Sequence, residues 1–345
     1  MKKSLLALAA LTAFAGVASA QSSVTLFGIV DLSVNSAKNG ANSLKQLSSD
    51  QLNSNRLGFR GVEDLGGGMR AGFWLEGAMS PDNGTAGGQT WQRRSTVSLM
   101  GGFGEVRLGR DYTPTFWNHT VFDPFGTNGM GSQLNVMLLQ GETSMFGAGA
   151  TTTVRANNSV GYFLPAMGGV YGQVMVAAGE GTAGNKYVGG RIGYAGGPVN
   201  VAVAYGKTEI VSNRDQTALN IGGSFNLGFM SLMGSWHRYE TDLTTTLQRE
   251  QTNWMVGATV PFGQSTLKAS YNKAASENSD RDATQFTLGY QYDLSKRTAI
   301  YATVSSLNND GNAASGARFS IGQGPAHTRG GDSSKGYNLG VRHSF

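Results

Sequence analysis

The sequence predicts an all-β protein, a transmembrane antiparallel barrel of sixteen strands, and three observations carry that expectation. The closing residues YNLGVRHSF (337–345) place Tyr337, Leu339, Val341 and Phe345 on one parity and Asn338, Gly340, Arg342 and Ser344 on the other. Strict alternation gives a strand with one apolar face and one wet face, and His343 is the single polar residue on the apolar side. In water such a face is an aggregation hazard. In lipid it is the required pattern, provided the sheet closes on itself. Second, the opening residues read as an export leader. Third, alternating segments recur along the whole chain, which has 51 glycines, 7 prolines and no cysteine in 345 residues.

The leader comes first in the chain. Lys2 and Lys3 form a basic start, residues 5–17 are apolar but too short to span a bilayer, and Ala18-Ser19-Ala20 is a small-residue cleavage site. The expected organisation is a cleaved signal peptide, 1–20, followed by a single barrel domain, 21–345, with no linker or charged tail dividing it. Beyond Ala20 no apolar run approaches the roughly 18 residues of a membrane helix. The absence of cysteine excludes disulfides and thiolate metal sites. Glycine this abundant is incompatible with a helical protein but suits a sheet of closely approaching strands. The mean hydropathy of −0.22 fits a barrel with a wet lumen. Without Lys2 and Lys3 the chain holds 25 basic and 22 acidic residues, a formal charge of +3, too mild to argue for nucleic acid.

Seven tight connections are expected, at 63–68, 101–104, 165–169, 196–198, 226–228, 261–264 and 293–296. They alternate with eight longer polar ones near 35–53, 80–90, 111–156, 179–186, 207–215, 240–250, 275–282 and 308–335. Fifteen connections make sixteen strands, with short turns at one end and long loops at the other. The lipid-facing residues follow from parity: Val199, Val201, Val203 and Tyr205; Leu219, Ile221 and Phe225; Phe286, Leu288, Tyr290 and Tyr292. Aromatics at strand ends, such as Trp254, Phe262 and Tyr271, suit the girdles that meet headgroups.

The connection 111–156 is far longer than its neighbours and carries Asp111, His119, Asp123, Glu142 and Arg155. A loop of that length in a compact domain calls for a function, and in a closed barrel it has room to fold inward. The strands before it are rich in arginine. Arg56 and Arg60 oppose Leu57 and Phe59, Arg94 opposes Val97 and Leu99 in parity, Arg107 opposes Val106 and Leu108, and Glu76 opposes Phe73 and Leu75. A basic wall facing loop carboxylates sets up a transverse field, and surplus positive charge favours anions. Any one of these arginines alone is more simply a solvated residue on a polar face.

Other chemistries find little support. The four histidines, His119, His237, His327 and His343, sit in no nucleophile motif; GxSxG and HExxH are absent, and no zinc spacing occurs. Gly66, Gly67 and Gly68 form a turn with no GK[ST] after them, and residues 308–312 lack the closing glutamate of a calcium loop. No cofactor, metal or catalytic residue is expected.

The stretches SSVTLFGIVD (22–31), SNRLGFRGVEDLGGGMRAGFWLEG (54–77), QRRSTVSL (92–99), FGEVRLGRD (103–111), VRANNSVGY (154–162), LSKRTAIY (294–301) and GVRHSF (340–345) span nearly the whole mature chain in order. In them the chain resembles the trimeric sixteen-stranded general porins of Gram-negative outer membranes, β-proteobacterial branch. That resemblance implies a homotrimer in the outer membrane, among its lipid and lipopolysaccharide, passing small anionic or polar solutes, with the third loop folded into the pore. In anion-selective members three arginines face an acidic group. By position these correspond to Arg56 in NRLGFRG, Arg93 in QRRSTVSL and Arg155 in VRANN, with Glu76 in FWLEG as the wall carboxylate. Parity points to Arg94 where the resemblance points to Arg93, so both are kept, with a bulge as the reconciling device. The third loop lacks the PEFG-type motif of enteric porins; Asp123, then Asp111, is expected to be its acidic contact, and Arg60 and Arg107 are expected to line the lumen nearby. The alternatives are a barrel enzyme of lipase or protease type, and an adhesin using surfaces such as 35–53 and 308–335.

Overall fold

The computed structural model describes residues 23–85, 90–137, 152–211, 214–242, 248–277, 281–314, 316–327 and 329–345. The expected leader and Glu142 lie outside them. The described residues form one closed antiparallel sheet with seventeen strand segments. The first four are β1 (Ser23–Asn39), β2 (Asn42–Ser49), β3 (Arg56–Gly66) and β4 (Met69–Ala78). Next come β5 (Arg94–Gly101), β6 (Gly104–Tyr112), β7 (Arg155–Phe163), β8 (Val170–Ala177) and β9 (Lys186–Gly196). Then follow β10 (Val199–Val211), β11 (Arg214–Asn226), β12 (Ser231–Asp242) and β13 (Gln248–Phe262). The last are β14 (Ser265–Ser276), β15 (Ala283–Asp293), β16 (Thr298–Asn309) and β17 (Ser334–Ser344). From β3 onward each strand pairs with the next in sequence, and β1 pairs with β17 from Ile29↔Ser344 to Asn39↔Ser334, which removes the open edge.

Seventeen segments make sixteen barrel positions because β2 and β3 share one. The first half of β1 pairs with β3 (Ser23↔Val62 to Ile29↔Arg56) and the second half with β2 (Leu32↔Ser49 to Asn39↔Asn42). Residues 50–55 leave the ladder between them, and side chains satisfy the freed backbone. The Asp31 carboxylate accepts from the N–H groups of Leu52 and Asn53, while Asn55 donates its amide to the Asp31 carbonyl and accepts from the Asp31 N–H.

The parity pattern holds on the outside. Tyr337, Leu339, Val341 and Phe345 are exposed, as are Val201, Val203, Tyr205, Ile221, Phe225, Phe286, Leu288 and Tyr290. Exposed apolar residues on consecutive strands make a continuous belt, the surface a bilayer covers.

The sequence-based expectation needs correction at the long-loop end. Residues 35–53 are mostly a strand hairpin turning at Gly40, and the connection expected at 207–215 shrinks to the few residues between β10 and β11. These strands continue past the belt, where the outward face carries Lys207, Glu209, Asp215 and Arg238 in place of apolar residues. Alternation fades there because both faces are wet.

The connection near 308–335 is also no simple outer surface. Ala317, Phe319 and Ile321 are fully buried and pack with Leu307, Met130 and Val136. It dips inward onto the third loop. The third loop itself starts with helix α1 (Pro114–Val121), with proline in the first turn where no N–H is required, and continues through short 3-10 turns at Gly129–Gly131 and Gln133–Val136.

Candidate functional site

Cross-strand pairing decides which side chains share the inner face. Gly58 lies opposite Glu76, which lies opposite Arg94; one step nearer the short turns, Arg60, Trp74 and Thr96 form the next row. Ser98 and Arg107 pair beyond it. Arg56 opens β3 on the same parity. Arginine, tryptophan and carboxylate therefore stack along one strip of wall on β3 to β6.

Glu76 is the hub of the strip. One carboxylate oxygen takes Arg93 Nε at 2.6 Å and Arg56 Nη1 at 3.3 Å, and the other takes Trp74 Nε1 at 3.1 Å. Arg93 also donates to the Tyr112 hydroxyl at 3.2 Å, and Arg155 donates to the same oxygen at 2.9 Å with its guanidinium 4.4 Å from the ring centroid. Tyr112 in turn stacks on Phe116 of α1 at 4.8 Å, so one phenol ties two wall arginines to the third loop. Only 8% of the Glu76 side chain is exposed. Its removal would leave partly buried cations uncompensated, which typically costs about 3–5 kcal/mol.

A second group lies beside the first. Arg94 donates Nε to Thr96 at 3.1 Å, stands 3.7 Å from an Asp111 oxygen and packs 4.6 Å from the Trp74 ring centroid. Arg107 grips Glu105 with two bonds, at 2.9 and 3.0 Å, and a further nitrogen donates to Asp111. Arg93 and Arg94 thus both face inward. No bulge is needed at that point: Arg93 precedes β5 in a bend, outside the alternation that governs Arg94.

The third loop lies against the opposite wall. Asn118 bonds Asn220 of β11 at 2.8 Å and accepts from Arg191 of β9. The Val136 carbonyl accepts from Asn253 of β13 at 2.7 Å, and the Met130 carbonyl accepts from Gln285 of β15 at 2.7 Å. Glycines on the wall leave slots for loop side chains. A Cβ on Gly222 would stand 2.2 Å from the Phe122 ring, one on Gly257 2.6 Å from Pro124, and one on Gly289 2.8 Å from Phe125. Filling such slots with a buried ring contributes about 1.5–3 kcal/mol per side chain.

Two histidines join the loop to β12. The rings of His119 and His237 stack with centroids 4.1 Å apart. His119 Nε2 pairs with the Tyr239 hydroxyl at 2.6 Å, and His237 Nε2 lies 3.1 Å from Gln133 and 2.9 Å from Ser235. Both are fully buried, and neither Nδ1 has a partner. Burial accordingly pushes the His119 pKa down to about 3, so the ring is neutral. His237 lies within the wall strand β12 and meets the third loop through its ring.

Asp123, expected to face the arginines, does not. Its carboxylate is buried inside its own loop and accepts from the N–H groups of Phe125 at 2.9 Å, Thr127 at 3.1 Å and Gln133 at 3.0 Å. Burial outweighs these bonds and raises its pKa to about 6. The structure therefore gathers Arg56, Arg93, Arg155 and Glu76 into one group, sets Arg94, Arg107 and Asp111 beside it, places Arg60 one row away, and puts Asp123 elsewhere. Sequence reasoning missed Tyr112, Trp74 and Asp50. The last sits between β2 and β3, near enough to Arg93 and Arg56 to feel their charge, and burial raises its pKa. Tyr112, next to Asp111 at the mouth of the longest loop, offered the one available signal.

The Gram-negative porin family model matches residues 7–312. The chain belongs to the Gram-negative porin family. It is 39% identical to outer membrane porin protein 32 of Delftia acidovorans, with all of both chains covered. It is 30% identical to an outer membrane porin protein of Bordetella pertussis, over 90% of this chain and 95% of that one. Among solved structures, the anion-selective porin from Comamonas acidovorans superposes with a TM-score of 0.82 at 35% identity, over 94% of this chain and 100% of that one. OmpT of Vibrio cholerae shares the fold at 14% identity, with a TM-score of 0.70 over 94% and 98% of the two chains. This porin is an outer-membrane channel protein and not an enzyme, and the barrel-enzyme alternative is not favoured.

Proposed function

We propose that this porin is an anion-selective diffusion channel in which the arginine group on β3 to β7, facing the inward-folded third loop, selects solutes by charge. The observation that carries the reading is the excess of cations at that level. Arg56, Arg60, Arg93, Arg94, Arg107 and Arg155 outnumber Glu76, Glu105, Asp111 and Asp50. In a narrow aqueous gap with low-dielectric walls, the surplus raises the local concentration of anions. Glu76, Asp111 and Tyr112 hold the guanidinium groups apart at fixed positions, so the positive field persists without the arginines folding back onto the wall. No bond is made or broken; solutes move down their gradients. The anion-selective relative from Comamonas agrees with this direction. Reversal potentials in a salt gradient across a planar bilayer test it: a potential set by the anion is expected, and a cation-set potential would sink the charge argument.

We infer a homotrimer from the family resemblance; mass determination in mild detergent tests it. Contact with lipopolysaccharide is supported by outward charges just beyond the apolar belt. Lys186 pairs with Glu209 at 2.8 Å, Lys207 with Asp215 at 2.6 Å, and Arg238 with Glu240 and Glu250, both at 2.7 Å. Such a row suits phosphate headgroups and their bridging cations.

A further inference from the structure

One row nearer the short turns, the wall changes character. Arg60 is exposed to the lumen and, among the described residues, has no carboxylate within ion-pair distance. Two aromatic rings hold it: its guanidinium lies 5.3 Å from the Phe27 centroid and 5.1 Å from the Trp74 centroid. The two rings meet edge to face at 5.0 Å, and Phe27 lies across Gly58, where a Cβ would stand 2.4 Å from the ring. Stacking fixes the plane of the guanidinium and leaves its donor edge free, the arrangement suited to a carboxylate.

Next to this unpaired cation the lumen-facing wall mixes apolar side chains with polar ones, among them Ser98 and the Glu105 carboxylate that Arg107 already holds. Val62 shares the inward parity of Arg60 and is 43% exposed, and Met100 reaches across Gly72, its methyl 2.9 Å from where a Cβ there would lie. Together with Trp74, Arg94 and Arg107 they line a recess of about 380 Å³. An ordinary wet wall gains nothing from an exposed valine and a half-buried methionine at inward positions. A solute with a charged head and an apolar body does, because it displaces water from both.

We propose that this recess is a binding station for monocarboxylates with an apolar body, such as an aromatic acid, lying on the short-turn side of the arginine group. Arg60 takes the carboxylate, and Val62, Met100 and the Trp74 edge take the ring. The proposal deepens the anion-channel reading and rests on it. It predicts that the channel discriminates among anions of equal charge by their apolar surface.

The test uses the full-length porin in a planar bilayer in potassium chloride, with benzoate or formate added on the short-turn side. Benzoate is expected to reduce the chloride current at far lower concentration than formate. Arg60→Gln is expected to raise the half-blocking benzoate concentration about tenfold, the usual scale of a charge-assisted hydrogen bond. Val62→Ser is expected to weaken benzoate block several-fold and leave formate unchanged. Equal block by benzoate and formate, or benzoate block indifferent to both substitutions, overturns the station. A chloride reversal potential retained in that case keeps the channel reading intact, and its loss in the unmodified porin would condemn that reading separately.

Discussion

The two sides of the lumen are built by opposite means. On β3 to β7 the inner face is charged, and its order comes from guanidinium, carboxylate and phenol groups that share protons at fixed distances. On β9 to β15 the inner face is mostly neutral, with Arg191 and Lys268 as its cations, and its order comes from amides, a histidine pair and glycine slots that accept the third loop. The first wall pairs its charged groups with one another along the passage and leaves the arginines partly exposed to it. The second spends its polar groups on backbone carbonyls of the loop, with Asn220, Asn253 and Gln285 as pins. A charged wall remains open because its charges are better solvated than buried, whereas a neutral wall can be covered at little desolvation cost. The loop therefore lies down on the neutral side and leaves the arginines facing the passage.

The largest effect is expected from reversing the charged wall. Arg56→Glu with Arg93→Glu should turn an anion-set reversal potential into a cation-set one; an unchanged sign would mean that the field comes from elsewhere. Next is the neutral wall. Gly222→Leu puts a side chain where the Phe122 ring now lies, so the loop should leave its slot, with a several-fold rise in single-channel conductance and faster amide exchange over residues 114–137. An unaltered conductance would mean that the loop is not what limits flow. Glu76→Gln should sharpen the contrast: the anion preference strengthens, while the melting temperature falls because Arg56 and Arg93 lose their shared carboxylate.

The smallest effect is pH, and the loop side should show it. The Asp123 pKa is raised to about 6, so its contribution to the fold is fully present below about pH 4 and is lost as pH rises through 6. His119 is held neutral with its pKa depressed to about 3, so its contribution is full above about pH 6.5 and declines as pH falls towards 3. Amide exchange of the loop followed from pH 3 to 8 should change slope on the alkaline side in Asp123→Asn and on the acid side in His119→Gln. Profiles identical to the parent would remove both groups from the anchor.

What was legible in the sequence was whatever lipid imposes. Val201, Val203 and Tyr205, or Leu339 and Val341, declare their direction because a bilayer tolerates nothing else on that face. The short turns were legible for the same reason, since glycine or proline marks all of them but the one at 293–296 where the strands leave the belt. Beyond the belt the rule lapses, so the β1–β2 hairpin read as a loop. Arg56, Glu76 and Arg155 could be assigned by position, but their hub could not, because Tyr112 joins them only after the loop has turned inward. Asp123 misled for a related reason: a loop carboxylate looks like a ligand for the facing arginines, yet the Asp-Pro-Phe-Gly turn it begins supplies its own N–H donors, and a local partner outcompetes one across the lumen.

The glycine slots on the neutral wall carry a consequence for descent. Gly222 and Phe122, a hundred positions apart, occupy one volume between them. Neither can be exchanged freely while the other stands, so lineages of this barrel should inherit the two as a unit, with a bulkier residue at the strand position found only where the loop position has shrunk to match.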